Sequence, residues 1–240
     1  MGEFLNLDNK FFQTLGKGVD CVCLSLLWLI CAIPLAFGIY MAVLLKAVIL
    51  LLPCIVLAVP AGIATTALYY SVNKTIRHSR GYLWSSFWHS FRTNMKQGAL
   101  VTLIVAAAAV LVSLDGYIMY QFAKAGQKTG VLYVIFFVLA LVIAAWALYV
   151  FSYMARFENT TKMILKNSAL MAIGNLPKTF LALVIFLVCC IGTYLFPVIA
   201  VISPALITLV LNFILESVFT RYMSEEDLEA ENERNQEFYN

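Results

Sequence analysis

The sequence predicts an all-α integral membrane protein with about six transmembrane helices and amphipathic interfacial helices on its cytoplasmic side. The composition is the first reason, because the chain of 240 residues is 62% hydrophobic and only 12% charged. Soluble domains are roughly 45–50% apolar and about 25% charged. Because so few charged groups cannot cover the surface of a water-soluble protein of this size, lipid must cover part of it. The lengths of the apolar runs and the placement of the basic residues are the other two reasons.

The apolar runs have the lengths of one or two membrane crossings, since a crossing helix needs ~20 apolar residues for a hydrocarbon core ~30 Å thick. The run 21–70 is long enough for two crossings with a turn near Lys46, although Pro34, Pro53 and Pro60 interrupt it. The runs 98–120 and 131–153 each match one crossing. The run 180–219 fits two, with its turn between Pro197 and Pro204. This gives six spans, and five remain as an alternative if residues 35–61 form a re-entrant segment.

The basic residues predict the orientation, because positive side chains near the ends of spans stay in the cytoplasm. Six spans place both termini and the segments 71–97 and 154–179 on one side. Thirteen of the sixteen basic residues lie there, and Lys46, Lys124 and Lys128 lie on the other side. The thirteen are Lys10, Lys17, Lys74, Arg77, Arg80, Arg92, Lys96, Arg156, Lys162, Lys166, Lys178, Arg221 and Arg234. We therefore expect a multi-pass membrane protein with both termini cytoplasmic.

The charge distribution divides the chain into two parts. Residues 1–223 are expected to form a single transmembrane helical domain. Residues 224–240 form an acidic cytoplasmic tail with seven acidic side chains and one arginine, and the net charge of the whole chain is +3. Such a tail, poor in aromatic residues, is typical of a solvated helix or a disordered end.

Two cytoplasmic segments have the pattern of helices that lie in the membrane interface. Trp84, Phe87, Trp88 and Phe91 recur at spacings of three and four, which places them on one face of a helix over 82–95. The segment 156–179 has a similar design. We expect the ends of the spans, lipid or a partner protein to cover the four aromatic side chains.

These two segments also suggest a weak internal repeat. Asn94-Met95-Lys96-Gln97 precedes the third span, and Asn175-Leu176-Pro177-Lys178 precedes the fifth, at an offset of 81 residues. The stretch before the first span, LDNKFFQTLGKGVD, is a looser third copy. The fold would then consist of three units of one amphipathic segment and two spans. The alternative is that any segment next to a membrane span has this composition.

Polar residues inside the apolar runs are few and are the candidate sites. Thr208, Asn212, Glu216 and Thr220 recur every four residues and form a polar stripe on the last span, typical of helix packing or subunit docking. Asp115 is an intramembrane carboxylate, which by default marks function, but its depth differs too much from that of Glu216 for one shared ion site. We expect Glu216→Gln to leave assembly largely intact and Glu216→Leu to weaken it by ~1 kcal/mol.

Small residues on the second span indicate another contact surface. Ala58, Gly62 and Thr66 lie one helical turn apart, which gives that span a face suited to close helix packing.

No pattern in the sequence predicts catalysis. A phosphate-binding glycine loop, a zinc-protease motif and a nucleophile elbow are all missing from the sequence. The six cysteines lie inside apolar runs, whereas the two histidines, His78 and His89, lie in a polar segment elsewhere. The cysteines are therefore interpreted as small hydrophobic residues. We expect no enzyme activity, no catalytic residues, no cofactor and no metal.

Several blocks of the chain resemble the YesL-type family of bacterial membrane proteins. These are NLDNKFFQTLGKGVD at the start, LLWLICAIP, GIATTALYYSVNK (62–74), GYLWSSFWHSFRTNMKQG (81–98) and ARFENTTKMILKNSALMAIGNLPKT (155–179). Related chains run from a Leu-Pro turn straight into the Thr-Thr-Ala-Leu-Tyr block. Here about 25 residues separate Pro34 from Val59, so this chain has additional length at that place.

The resemblance implies a setting rather than a chemistry. The family is of unknown function and found mainly in Firmicutes. Its genes commonly neighbour those for oligosaccharide ABC importers, sugar-responsive two-component systems and glycan-degrading enzymes. We therefore expect a non-enzymatic accessory component of carbohydrate import or sensing, with the lipid bilayer and the permease or ATPase subunits of a sugar ABC importer as partners. No nucleic acid is expected, and a homo-oligomer is left open. The alternative is a stand-alone transporter or channel for a small solute.

The distribution of basic residues gives a direct test of the topology. A phosphatase reporter fused after Asn240 should be inactive and a fluorescent-protein reporter at the same place should be bright, because both termini are expected in the cytoplasm. Fusions in the loop around Lys124 and Lys128 are the matched controls and should behave in the opposite way. An active phosphatase at residue 240 would overturn the orientation.

Overall fold

A computed structural model describes the backbone of residues 2–77 and 82–223, and their side chains outside 2–15, 75–77 and 129–130. Eight α-helices follow one another in the described chain, and this part contains no strand. They are α1 (Gly2–Leu44), α2 (Leu51–Ser71), α3 (Leu83–Thr93), α4 (Met95–Lys124), α5 (Tyr133–Arg156), α6 (Thr161–Gly174), α7 (Leu176–Leu195) and α8 (Ser203–Phe219). The acidic tail 224–240 and His78 lie outside the described residues.

Six helical segments among the described residues are long and apolar enough to cross a membrane. They are Gly16–Leu44, Val48–Lys74, Met95–Lys124, Tyr133–Arg156, Leu176–Leu195 and Ser203–Tyr222. The all-α fold and the six candidate spans are thus confirmed. Residues 35–61 belong to two separate long helices, which supports six spans over five. The helices α3 and α6 are too short to cross.

The turns between paired spans occur where the sequence predicted them. Lys46 has a φ of 51° in the turn between α1 and α2, a left-handed conformation that a residue with a Cβ adopts at a cost. Pro34 and Pro60 lie inside helices, whereas Pro53 occupies the first turn of α2, where its missing N–H removes no hydrogen bond. The turn between α7 and α8 is the 3₁₀ segment Pro197–Val201.

The outer surface of the bundle is apolar. Ile33 and Phe37 of α1, Phe137 and Val142 of α5 and Val188 of α7 are all exposed. A soluble monomer rarely exposes so many apolar side chains to water in contiguous patches. Hydrocarbon is the solvent that suits this surface, in line with the six candidate spans.

Two clusters of buried side chains hold the helices together. The larger one joins Tyr69 of α2 to α4, α5, α6, α7 and α8 around Tyr149, Leu215 and Phe219. The smaller one joins α1, α2 and α3 to the start of α8 around Leu24 and Phe87. The helices α2 and α8 contribute to both clusters and therefore link the two halves of the chain.

The small-residue face of α2 packs tightly against α4. Ala58, Gly62 and Thr66 are buried, and a Cβ added at Gly62 would overlap the side chain of Thr102 on α4. The Thr102 hydroxyl donates to the carbonyl oxygen of Gly98 at 2.6 Å, which fixes its rotamer. Gly62 is therefore needed so that α2 and α4 can pack at this distance.

Replacing Gly62 should destabilise the protein. Gly62→Ala forces α2 and α4 apart, and we expect a loss of about 1–3 kcal/mol, the scale of overpacking in a tight core. Thermal unfolding in detergent, followed by fluorescence-detected size exclusion, measures it. Gly192→Ala on α7 is the matched control, because a Cβ there meets nothing within 4 Å, and it should be neutral or stabilising. Equal melting temperatures for the two variants would contradict this account.

Candidate functional site

Both short helices lie at the same end of the bundle, which we call the short-helix end. The N-terminal ends of α4 and α7 meet the C-terminal ends of α5 and α8 there. Gln97 Nε2 donates to the carbonyl oxygen of Asn159 at 2.6 Å, just past α5. Lys178 Nζ donates to the carbonyl oxygen of Ser217 on α8 at 3.0 Å. Glu216 and Thr220 of the polar stripe are found at this end.

The corner from each short helix into the next span has the same construction. Asn94 joins α3 to α4, and its side-chain amide donates to the carbonyl oxygen of Ser90 at 3.0 Å. Asn175 joins α6 to α7, and its amide donates to the carbonyl oxygen of Met171 at 3.1 Å. In both corners the backbone carbonyl oxygen of the asparagine accepts a hydrogen bond from the backbone N–H four residues later. The offset of 81 residues seen in the sequence is therefore also an offset between two equivalent corners.

The proposed third copy has a different structure. The stretch LDNKFFQTLGKGVD belongs to the single helix α1, which runs without a corner from Gly2 to Leu44. Asn9 thus has no equivalent of the turn at Asn94 and Asn175. The repeat comprises two units rather than three.

The polar stripe of α8 faces the interior of the protein. Thr208, Asn212 and Glu216 are buried, and Thr220 is half-buried. Thr208 and Thr220 donate to backbone carbonyl oxygens four residues earlier, at 2.7 and 3.0 Å. The stripe therefore lies against neighbouring helices of the same chain rather than on an open docking face.

Glu216 forms an ion pair that the sequence analysis did not anticipate. Arg156, at the C-terminal end of α5, donates through Nη2 to Glu216 Oε1 at 2.7 Å, and both side chains are largely buried. The Arg156 Nη2 also lies 3.9 Å from the sulfur of Met223. Arg156 lies in the last turn of α5, where a cation interacts favourably with the helix dipole. The pair ties the ends of α5 and α8 together.

Two tyrosines of α5 form a second group of polar contacts. Tyr149 Oη accepts from Thr179 Oγ1 on α7 at 2.9 Å. Tyr153 Oη accepts from the amides of Asn159 and Asn167 at 2.9 and 3.1 Å. Both rings pack edge-to-face on Phe219. No pattern in the sequence predicted these tyrosine contacts, because a tyrosine inside an apolar run is not distinguishable from other large apolar residues.

The four aromatic residues of α3 do not share one environment. Phe87 is fully buried against α1 and α2, whereas Trp84 is 62% exposed. Trp88 and Phe91 are half-buried and pack on one another with ring centroids 5.4 Å apart. The predicted helix over 82–95 is present as α3, and the ends of the spans cover its Phe87. Trp84 is left to lipid or a partner.

The helix α6 carries an exposed apolar stripe on the face opposite its buried residues. Ile164, Ser168 and Met171 face the core, while Met163, Leu170 and Ile173 are each more than half exposed. Lys162 and Lys166 are exposed on the same outward surface. We call Met163, Lys166, Leu170 and Ile173 the α6 stripe.

Asp115 lies apart from this end of the bundle. It is exposed on α4, twenty residues after Met95, and no ion pair joins it to another described residue. At about 1.5 Å per residue it is roughly 30 Å along the helix from Met95. Glu216 is buried beside Arg156, so the two carboxylates occupy different places.

Several polar groups at the short-helix end are engaged in contacts between helices. Arg156 pairs with the Glu216 carboxylate, and Thr179 Oγ1 donates to Tyr149 Oη. In the described part of the chain, no group of three or more His, Cys, Asp or Glu side chains is placed to hold a metal ion. All six cysteines are free.

These features define a polytopic α-helical membrane protein with a polar, interlocked end. Residues 21–116 match the family model described as "Protein of unknown function, DUF624". The match runs from α1 into the second half of α4 and covers less than half of the chain. No curated protein and no solved structure matches the sequence.

The ion pair predicts a larger effect for Glu216→Gln than the sequence alone suggested. The glutamine keeps the shape but leaves the guanidinium of Arg156 beside a neutral group, so we expect a loss of about 1–3 kcal/mol. Glu216→Gln combined with Arg156→Gln should lose less than the sum of the single variants. A double-mutant cycle on unfolding in detergent measures the coupling. Additive single effects would show that the pair contributes nothing to stability.

Proposed function

We propose that this protein is a non-enzymatic accessory subunit of an oligosaccharide ABC importer in the bacterial plasma membrane, with both termini in the cytoplasm. The match of residues 21–116 to the DUF624 model supports the resemblance to YesL-type proteins, whose genes commonly neighbour those of such importers. That resemblance supplies the class of partner. The geometry of the short-helix end supplies the surface that would meet it.

The α6 stripe is the observation that carries the proposal. Met163, Leu170 and Ile173 expose apolar side chains on a helix too short to span the membrane. Lys162 and Lys166 border them, so the surface is apolar and basic together. A partner that offers an apolar groove with acidic residues at its rim would bury the stripe and pair with the lysines. A permease or ATPase subunit at the cytoplasmic face of the membrane is placed to make this contact.

Hydrogen bonds that hold α6 in place support docking. Trp146 Nε1 of α5 donates to Ser168 Oγ at 3.1 Å, and Asn175 Nδ2, just past α6, donates to Tyr222 Oη in the turn that follows α8 at 3.2 Å. The stripe is thus presented on a preformed helix, and binding would order few additional side chains.

A stand-alone transporter has weaker support. Transport of a polar solute or ion would require polar groups that converge inside the bundle. Asp115 is exposed on α4, and Glu216 is paired with Arg156 at one end of the protein.

Purification from the native membrane tests the proposal. The tagged protein is extracted in mild detergent after growth on an inducing oligosaccharide, and co-purified proteins are identified by mass spectrometry. We expect permease or ATPase subunits of a sugar importer in the wild-type sample and their loss with Leu170→Glu. Thr93→Glu places the same charge at an exposed position of α3 and is the matched control, which should keep the partner.

Two outcomes would contradict the proposal. If the wild-type protein brings down no importer subunit under induction, the accessory role is wrong. If Leu170→Glu retains the subunits as well as Thr93→Glu does, the α6 stripe is not the docking surface.

A further inference from the structure

A cavity of about 420 Å³ lies among α1, α2, α5, α7 and α8. Large apolar side chains from all five helices line it, among them Trp28, Leu68, Phe151, Phe186 and Ile207. Each of these helices belongs to a candidate membrane span, so the cavity lies in the part of the protein that hydrocarbon surrounds. Its volume is in the range of about 300–1,000 Å³ typical of small-molecule sites.

Most polar groups on the cavity wall are already engaged within the protein. Trp28 Nε1 donates to Thr65 Oγ1 at 2.9 Å, and Thr65 Oγ1 donates to the carbonyl oxygen of Ala61 at 2.8 Å. Thr208 Oγ1 donates to the carbonyl oxygen of Pro204 at 2.7 Å. These groups have little left to offer a polar solute. The wall is otherwise apolar, and water gains little by entering such a space.

Tyr69 and Ser203 are the cavity-lining residues whose hydroxyls have no hydrogen bond to another described residue. Tyr69 is 5% exposed and Ser203 is 7% exposed. A buried hydroxyl normally has a partner. Tyr69 therefore points to an occupant that has an acceptor oxygen next to a long apolar part.

The wall of the cavity reaches the outer surface at α7. Cys190 lines the cavity and is also exposed on the surface of the bundle. One edge of the cavity therefore reaches the outer surface of the bundle beside Cys190.

We propose that the cavity binds the ester-linked acyl chain of a membrane phospholipid, with the ester carbonyl oxygen accepting a hydrogen bond from Tyr69. The acyl chain fills a space whose lining would otherwise lack contact partners on one side. The ester oxygen satisfies the Tyr69 hydroxyl. The acyl chain enters from the surrounding bilayer beside Cys190 of α7. This site is independent of the α6 stripe and of any importer.

Photocrosslinking tests the site directly. The purified protein is placed in nanodiscs of phosphatidylglycerol that contain a trace of a phosphatidylglycerol with a diazirine on its acyl chain. The crosslinked peptides are then mapped by mass spectrometry. We expect enrichment of crosslinks at cavity residues of α5, α7 and α8 over lipid-facing residues of the same helices, such as Val142 and Val188.

Variants that fill the cavity supply the control. Ala147→Phe adds a ring to the wall from α5, and Cys190→Phe adds one from α7. Each should lower crosslinking at the cavity to the level of lipid-facing positions. Val142→Phe adds the same ring on the outer surface of α5 and should leave the cavity crosslinks unchanged. Because the two filling variants lie on different helices, one folded variant is sufficient for the test.

The role of Tyr69 is tested separately. Tyr69→Phe removes only the hydroxyl and should reduce the crosslinking of the ester lipid at the cavity. With a diether analogue of the same probe, which has no carbonyl oxygen, Tyr69→Phe and wild type should crosslink equally. Equal yields in the filling variants and the wild type, or crosslinks confined to lipid-facing positions, would overturn the acyl-chain site. An equal loss for both lipids in Tyr69→Phe would overturn the assigned hydrogen bond.

Discussion

The architecture depends on how the backbone turns from a short helix into a membrane span without leaving polar groups unpaired. Helix ends carry N–H and C=O groups with no partner of their own, and hydrocarbon offers none. Asn94 and Asn175 meet this constraint in the same way, because each side-chain amide donates back to the carbonyl oxygen four residues earlier. The backbone carbonyl oxygen of each asparagine also accepts the first backbone hydrogen bond of the next span. The positions of α3 and α6 follow from these two corners.

The start of α8 shows the same constraint solved between distant parts of the chain. Ser25 on α1 donates to the carbonyl oxygen of Ile202 at 3.2 Å and accepts from the N–H of Ala205 at 3.1 Å. One hydroxyl thus satisfies both kinds of backbone group where the last helix begins. Together with the Arg156–Glu216 pair at the other end of α8, it fixes one of the two helices that join the core clusters. Few polar contacts are needed, because each one joins elements that apolar packing has already brought close.

The sequence predicted the elements of this fold better than their contacts. Runs of apolar residues and the positions of Lys46, Pro197 and Pro204 gave the six candidate spans and their turns, because length and chain reversal are local properties. The small-residue face at Gly62 was visible for the same reason. Its contact with Thr102 could not be predicted, because the register between α2 and α4 depends on tertiary packing.

The candidate residues show the same division. The spacing of Thr208, Asn212 and Glu216 predicted a common face on α8, but it could not name Arg156, which lies sixty residues earlier. The periodicity of α3 predicted a helix with one aromatic face. Only the neighbouring helices decide that Phe87 is buried and Trp84 exposed. A tyrosine such as Tyr69 gave no signal, because its importance rests on the cavity that five helices form around it.

Asp115 has a consequence for the kind of bilayer that suits this protein. The helix α4 has 30 residues, roughly 45 Å at about 1.5 Å per residue, which exceeds a hydrocarbon core of about 30 Å. Asp115 lies nine residues before the end of the helix, so its carboxylate is about 6 Å inside the hydrocarbon when α4 is centred. A thicker bilayer buries this charge more deeply, and a thinner one brings it closer to the headgroups. A single exposed carboxylate thereby sets an upper limit on the membrane thickness that the protein matches.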